Sequence, residues 1–210
     1  MTLFEEIQNG VISGNAKGVA DNTRKALDTG VAPLSIVNDG LIAGMNVVGV
    51  RFRNNEIYVP EVLIAARAMH AGMAVVKPLL SAGEIGGKGT VILGTVKGDL
   101  HDIGKNLVGM MLEGAGYKVV DLGVDVSPEK FLNGVDEYKP QLVGLSALLT
   151  TTMVNMKTTL EALQSYRDRV KIFIGGAPVT QKFADEIGAD GYAADAASAV
   201  DRANALLVPV

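Results

Sequence analysis

Apolar positions recur at two different periods along this 210-residue chain. Up to about residue 83 the spacing is helical. Leu3 to Ser13 makes a short amphipathic segment. Asn15 suits the cap of a second helix that runs to Asp28 and stops at Gly30. Pro33 fits the first turn of a third helix continuing to about Arg53, with Leu34, Val37, Leu41, Met45 and Val48 on one stripe. Asn54-Asn55 breaks that pattern. Pro60 then opens a fourth helix whose apolar face carries Val62, Leu63, Ala66, Met69, Met73 and Val76. Four helices joined by short turns predict a bundle.

After residue 89 short apolar runs alternate with helical stretches. Thr90–Val96, Lys118–Leu122, Gln141–Ser146, Lys171–Ile174 and Gly191–Ala193 read as strands. Ile103–Gly116, Ser127–Tyr138, Thr152–Tyr166, Thr180–Ile187 and Asp195–Leu207 read as helices between and after them. This alternation predicts an α/β fold, a flavodoxin-like (Rossmann-like) doubly wound five-stranded parallel sheet. The predicted organisation is a helical domain at 1–83, a glycine-rich linker at 84–89 and a sheet domain at 90–210.

Composition narrows the function classes. The chain is 48% hydrophobic and 20% charged, ordinary for a globular protein. A net charge of −4 argues against nucleic acid as a main partner, since phosphate binding needs a clustered basic face. There is no cysteine, which excludes disulfides, thiolate metal sites and cysteine nucleophiles. No uninterrupted apolar run approaches the roughly 20 residues that span a bilayer. Met-Thr-Leu-Phe-Glu-Glu at the start lacks the character of a signal peptide. The expectation is a cytoplasmic chain with no membrane partner.

Doubly wound sheets bind ligands beyond the C-terminal strand ends, where strand order reverses. In flavodoxin-like order that crevice lies between the first and third strands. The first strand runs into Gly98-Asp99-Leu100-His101-Asp102-Ile103-Gly104, the third into Ser146-Ala147-Leu148-Leu149-Thr150-Thr151-Thr152, and the fourth into Gly175-Gly176. An imidazole can ligate a borderline transition metal through one nitrogen if an acceptor fixes the other. Asp99, two residues before His101, is such an acceptor, and Thr152 or Ser146 can in turn hold the carboxylate. Gly98 and Gly104 leave room against the backbone for a bulky group. His70, in the fourth helix, has no evident partner. Neither a Gly-x-Gly-x-x-Gly fingerprint, nor a lysine-bearing phosphate loop, nor a Gly-x-Ser-x-Gly elbow is present. Spacing alone goes as far as a histidine-centred site at the switch point.

Asp99-x-His101-x-x-Gly104, then Ser146-x-Leu148, then Gly175-Gly176, resembles the three-part signature of cobalamin-binding domains. The front half, with Gly44-Met45-Asn46-Val47-Val48-Gly49-x-x-Phe52 and Tyr58-Val59-Pro60-Glu61-Val62-Leu63, resembles the helical cap of methyltransferase corrinoid modules. The resemblance implies cobalamin or a related corrinoid, bound base-off, with His101 as lower axial ligand to cobalt and Asp99 hydrogen-bonded to it. It further implies that Gly98, Leu100, Asp102, Ile103, Gly104, Ser146, Leu148, Thr150, Gly175, Gly176 and Ala196 belong to the site that holds the corrin and its nucleotide tail, and that Thr152 there completes the ligand relay where the family uses a serine. Phe52 and Val59 match the cap residues that shield a bound methyl group.

The implied function is that of a methyl carrier, itself not catalytic. It accepts a methyl group on Co(I) through a substrate-specific methyltransferase. From methyl-Co(III) it passes the group to a second methyltransferase that uses tetrahydrofolate or coenzyme M. A reductive activator rescues Co(II). The alternative is a cobalamin-binding sensor, which would need a DNA-binding segment that no basic stretch here supplies. A small mutase subunit would keep the histidine motif but has no need of Phe52 and Val59.

Overall fold

The helical period of the first eighty residues is realised as four successive helical rods. The computed structural model describes residues 1–80 and 87–207. Helix α1 (Leu3–Ile12) begins at Thr2, whose hydroxyl accepts the Glu5 N–H while the Glu5 carboxylate accepts the Thr2 N–H. Helix α2 (Ala16–Asp28) is capped by the Asn15 side chain, which accepts the Gly18 N–H. The third rod is one continuous helix with a change of winding. Pro33–Ser35 (α3) is α-helical, Ile36–Ile42 is a π-helical segment, and Ala43–Arg53 (α4) is α-helical again. A wider turn frees carbonyls from their usual partners, and the Gln8 amide donates to the Asp39 carbonyl at 2.6 Å. Helix α5 (Val59–Val76) places Pro60 in its first turn, with the Glu61 carboxylate accepting the Tyr58 N–H.

Ile7, Val11, Val19, Ile36, Leu41, Val62, Ala68 and Val76 form the dry interior of this unit. Two stretches, Pro33–Arg53 and Val59–Leu79, have mean hydropathies of 1.3 and 1.4 over spanning length. By length and composition alone they could cross a bilayer, although charged residues interrupt both. In this fold they are the bundle's core helices, and each buries one face. His70 does have a partner: its Nε2 lies 3.0 Å from the Glu113 carboxylate, a hydrogen bond that raises the imidazole pKa against the opposing effect of burial.

Main-chain contacts divide the chain into Met1–Gly87 with Glu113–Gly116, and Lys88–Leu112 with Tyr117–Val210. The predicted linker at 84–89 falls partly on residues outside the described ones.

The second unit is the predicted doubly wound sheet. Strands β1 (Thr90–Thr95), β2 (Lys118–Asp121), β3 (Leu142–Ser146), β4 (Lys171–Gly175) and β5 (Gly191–Ala193) are all parallel, in the order β2-β1-β3-β4-β5. Helices α6 (Ile103–Gly114), α7 (Pro128–Tyr138), α8 (Val154–Ala162), α9 (Gln181–Ile187) and α10 (Ala196–Leu207) make the crossovers and the closing element. Ile92, Val143, Ile172 and Ile174 pack with Phe131, Met156 and Leu163 from the helices. Strand order reverses between β1 and β3, so the loops after these two strands open at the switch point.

Helix α8 starts two residues later than the spacing predicts. Thr152 is spent in the preceding turn, where its hydroxyl bonds outside the helix ladder. Residues Leu163–Tyr166 finish the predicted segment as a 3₁₀ turn.

Candidate cofactor site

The loop after β1 is built around a carboxylate that water cannot reach. Asp99 is fully buried. Its Oδ1 accepts the His101 N–H at 3.1 Å and lies 2.7 Å from His101 Nδ1. Its Oδ2 accepts the Leu148 and Leu149 N–H groups at 2.8 and 3.2 Å and the Thr152 hydroxyl at 2.7 Å. Burial pushes the Asp99 pKa up, but the Thr152 hydroxyl, the His101 ring and these N–H groups outweigh it and hold the carboxyl well below the usual range.

An ionised Oδ1 can only accept. His101 Nδ1 therefore carries the proton, and in the neutral ring the lone pair is the one on Nε2. The ring is half-exposed while its acceptor is sealed. Of the two hydroxyls the sequence offers, Thr152 holds Asp99 and Ser146 does not. Ser146 ends β3, paired with Thr95 and Gly175, and its carbonyl accepts the Val96 N–H.

The linkage has a definite sign. A depressed folded-state pKa contributes stability above the unfolded carboxylate value, and that stability is lost as the pH falls through the folded value. Urea midpoints measured between pH 5 and pH 2 should therefore fall steeply below about pH 4, the ordinary aspartate pKa.

The remaining predicted residues sort by position. Gly98 is left-handed at φ 81° and carries the chain into the loop. Leu100 and Ile103 are 71% and 80% exposed, and Leu148 with Leu149 about two-fifths exposed, so bulky apolar side chains flank a half-exposed imidazole. A Cβ on Gly104 would meet open space. Asp102 is exposed and accepts from Asn106, and Thr150 is exposed in the β3 loop. Gly175 ends β4, and Gly176, at φ 132°, sits against the Ala147 carbonyl. Ala196 is buried in the first turn of α10, beyond β5. Phe52 and Val59 belong to the other unit. They flank the 54–58 turn, Phe52 half-buried and Val59 exposed, so neither is bundle core.

Supporting residues that sequence reasoning missed surround this loop. The Thr95 hydroxyl, fully buried, donates to the His101 carbonyl at 2.8 Å, and the Asn155 amide donates to the Lys97 carbonyl at 2.7 Å. Lys105, one turn after His101, is buried and pairs with Asp121 at the end of β2 and with Asn106. The available signal was a lysine on the same helical stripe as Gly109 and Leu112.

Its partner is half-exposed. Asp121→Ala, which strands a buried ammonium, should cost about 3 kcal/mol, whereas Lys105→Met should cost under about 1 kcal/mol because water can solvate the carboxylate. Denaturant midpoints of the two variants give the comparison, and equal losses would contradict it.

Residues 89–201 match the B12 binding domain, and residues 3–77 match a second B12 binding domain family. A corrinoid protein of Desulfitobacterium hafniense is 42% identical over 99% of this chain and 98% of its own length. The chain belongs to the B12-binding corrinoid proteins. The dimethylamine corrinoid protein of Methanosarcina barkeri is 44% identical, covering 98% of this chain and 97% of its own. The methanol:cobalamin methyltransferase complex from Methanosarcina barkeri contains a chain that superposes with a TM-score of 0.89 at 34% identity, covering 98% of this corrinoid protein and 79% of that chain. The site's own chemistry fits a corrinoid. The half-exposed imidazole is flanked by the exposed apolar side chains of Leu100, Ile103, Leu148 and Leu149, as expected where a ligand covers them.

Proposed function

We propose that this corrinoid protein is a methyl carrier that holds its cofactor base-off, with His101 Nε2 on the lower face of cobalt. The observation that carries the reading is the Thr152–Asp99–His101 chain, which fixes the imidazole tautomer with Nε2 outward. When bound, the corrinoid supplies the cobalt on which a methyl group travels. Asp99 retains the proton on Nδ1 and keeps the ring's direction, and Thr152 and the 148–149 amides keep Asp99 ionised. Gly104 admits the flat ligand to the backbone. Phe52 and Val59 are assigned to excluding water from the carried methyl group.

The partners in this reading are three. A substrate-specific methyltransferase loads the protein from a small donor such as a methylamine or methanol. A second methyltransferase unloads it to tetrahydrofolate or coenzyme M. A reductive activator restores oxidised cobalt. The likeness to the dimethylamine corrinoid protein and to the methanol system supports the donor class, and the setting is cytoplasmic.

The test is reconstitution with hydroxocobalamin, followed by reduction to Co(II) and electron paramagnetic resonance. Wild type should retain the corrinoid through gel filtration and show one axial nitrogen from the protein. His101→Ala should lose that nitrogen coupling. An identical spectrum from the variant, or a wild-type protein that takes up no corrinoid, sinks the reading.

A further inference from the structure

The loop between β2 and α7 contains a residue to which neither the motif nor the ligand chemistry assigns a role. Asp125 is one of the non-glycine residues with a left-handed backbone, at φ 51°. Side chains disfavour that conformation, and aspartate tolerates it better than most. Its retention beside a ligand loop calls for a compensating interaction.

Two such interactions exist, and both close on the same two residues. The Asp125 carboxylate accepts the Gly98 N–H at 2.7 Å. The Asp125 N–H donates to the Asp99 carbonyl at 2.9 Å. The groups gripped are thus the N–H just before Asp99 and the carbonyl just after its Cα. The grip is itself anchored, because the adjacent Val126 is buried, bridges to Val96 and donates its N–H to the Thr95 carbonyl.

From the other side, the Asp99 carboxylate is held by the Leu148 and Leu149 amides and by Thr152. Its main chain and its side chain therefore have separate anchors. Without the Asp125 acceptor the Gly98 end of the loop loosens, while the Asp99 N–H on the Val96 carbonyl and the Thr95 hydroxyl on the His101 carbonyl still hold the rest of the main chain, so the peptide carrying His101 tilts rather than comes free. The imidazole direction is the quantity that changes.

We propose that Asp125 is a positioning residue for His101: by clamping Gly98 and Asp99 it aims Nε2 and sets the fraction of bound corrinoid that the imidazole ligates. This rests on the reading of His101 as the axial ligand. Asp125 touches no ligand in this scheme and acts only through the loop.

Two substitutions separate the side-chain acceptor from the backbone conformation. Asp125→Gly keeps the left-handed turn and removes the acceptor. Asp125→Asn keeps both, through its amide oxygen. The full chain of each is loaded with hydroxocobalamin and reduced to Co(II), and the axial-nitrogen fraction, the corrinoid affinity and the melting temperature are measured. Asp125→Gly should show a several-fold smaller nitrogen-ligated fraction and bind on the order of tenfold more weakly, as for loss of one charge-assisted hydrogen bond. Its melting temperature should stay within a few degrees of wild type, and Asp125→Asn should match wild type throughout.

A nitrogen-ligated fraction unchanged in Asp125→Gly overturns the proposal. So does a glycine variant that does not fold, because the contact would then serve stability alone. The ligand-free protein supplies an independent readout: the His101 Nδ1 proton should be protected from exchange in wild type and Asp125→Asn and lost to water in Asp125→Gly. A wild-type chain that binds no hydroxocobalamin defeats the carrier reading, and the imidazole proton still decides the role of Asp125.

Discussion

Asp99→Ala should destabilise the sheet unit by at least about 4 kcal/mol, since each buried donor left without a partner costs about 1–3 kcal/mol. The side chain accepts five hydrogen bonds in a position sealed from water. Alanine leaves the Leu148 and Leu149 N–H groups and the His101 N–H facing a void, while the Thr152 hydroxyl keeps only the Leu149 carbonyl as acceptor. Asp99→Asn is nearly isosteric and should still cost about 2 kcal/mol or more. A carboxamide has one accepting oxygen, and donors converge on both carboxylate oxygens, so its NH₂ must face other donors in either orientation. Guanidinium unfolding followed by circular dichroism measures both. An Asp99→Asn protein as stable as wild type would remove the hydrogen-bond account of this loop, and with it the argument for the imidazole tautomer.

Gly176→Ala should be comparably damaging, at about 3 kcal/mol or more, through strain rather than lost bonds. At φ 132° the backbone occupies a region that side chains rarely enter. The added Cβ would be driven into the Ala147 carbonyl oxygen. That oxygen cannot retreat, because Ala147 is fully buried and its N–H bonds the Gly175 carbonyl across the β3–β4 boundary. Gly104→Ala is the matched control. Its Cβ would meet open space on a helix, so stability should change by less than about 1 kcal/mol, in the stabilising direction. Hydroxocobalamin uptake by that control should nonetheless fall, since the methyl occupies the open face beside His101. Parallel melting curves and titrations separate the two effects.

Much of this architecture was legible because it rests on short-range rules. Short apolar runs located the five strands, and the cap at Asn15 fixed one helix start. Asp99 and His101 could be paired by inspection, since two residues of one tight turn must meet.

Spacing alone did not choose between Ser146 and Thr152; the family resemblance pointed to Thr152, and three dimensions show why. Ser146 closes the third strand and Thr152 lies in the loop after it, and the pairing of Ser146 with Thr95 and Gly175 is what keeps it out of the turn around Asp99. Asp125 was less accessible still. Its partner Gly98 is 27 residues away in another loop, and no periodicity reports a bond between loops. Lys105 was hidden for a related reason, because a lysine is assumed to face water until Asp121 is found at the end of the neighbouring strand.

The π-helical stretch in the third rod sets an angle for everything that follows it. An α-helix advances about 100° per residue, so absorbing one residue in a widened turn rotates the downstream face by a comparable amount. Phe52 lies ten residues beyond the end of that stretch, on an otherwise regular helix. Its compass bearing around the helix axis is therefore decided at Ile36–Ile42, next to the Gln8 amide that holds the Asp39 carbonyl, and not at the tip where the ring sits.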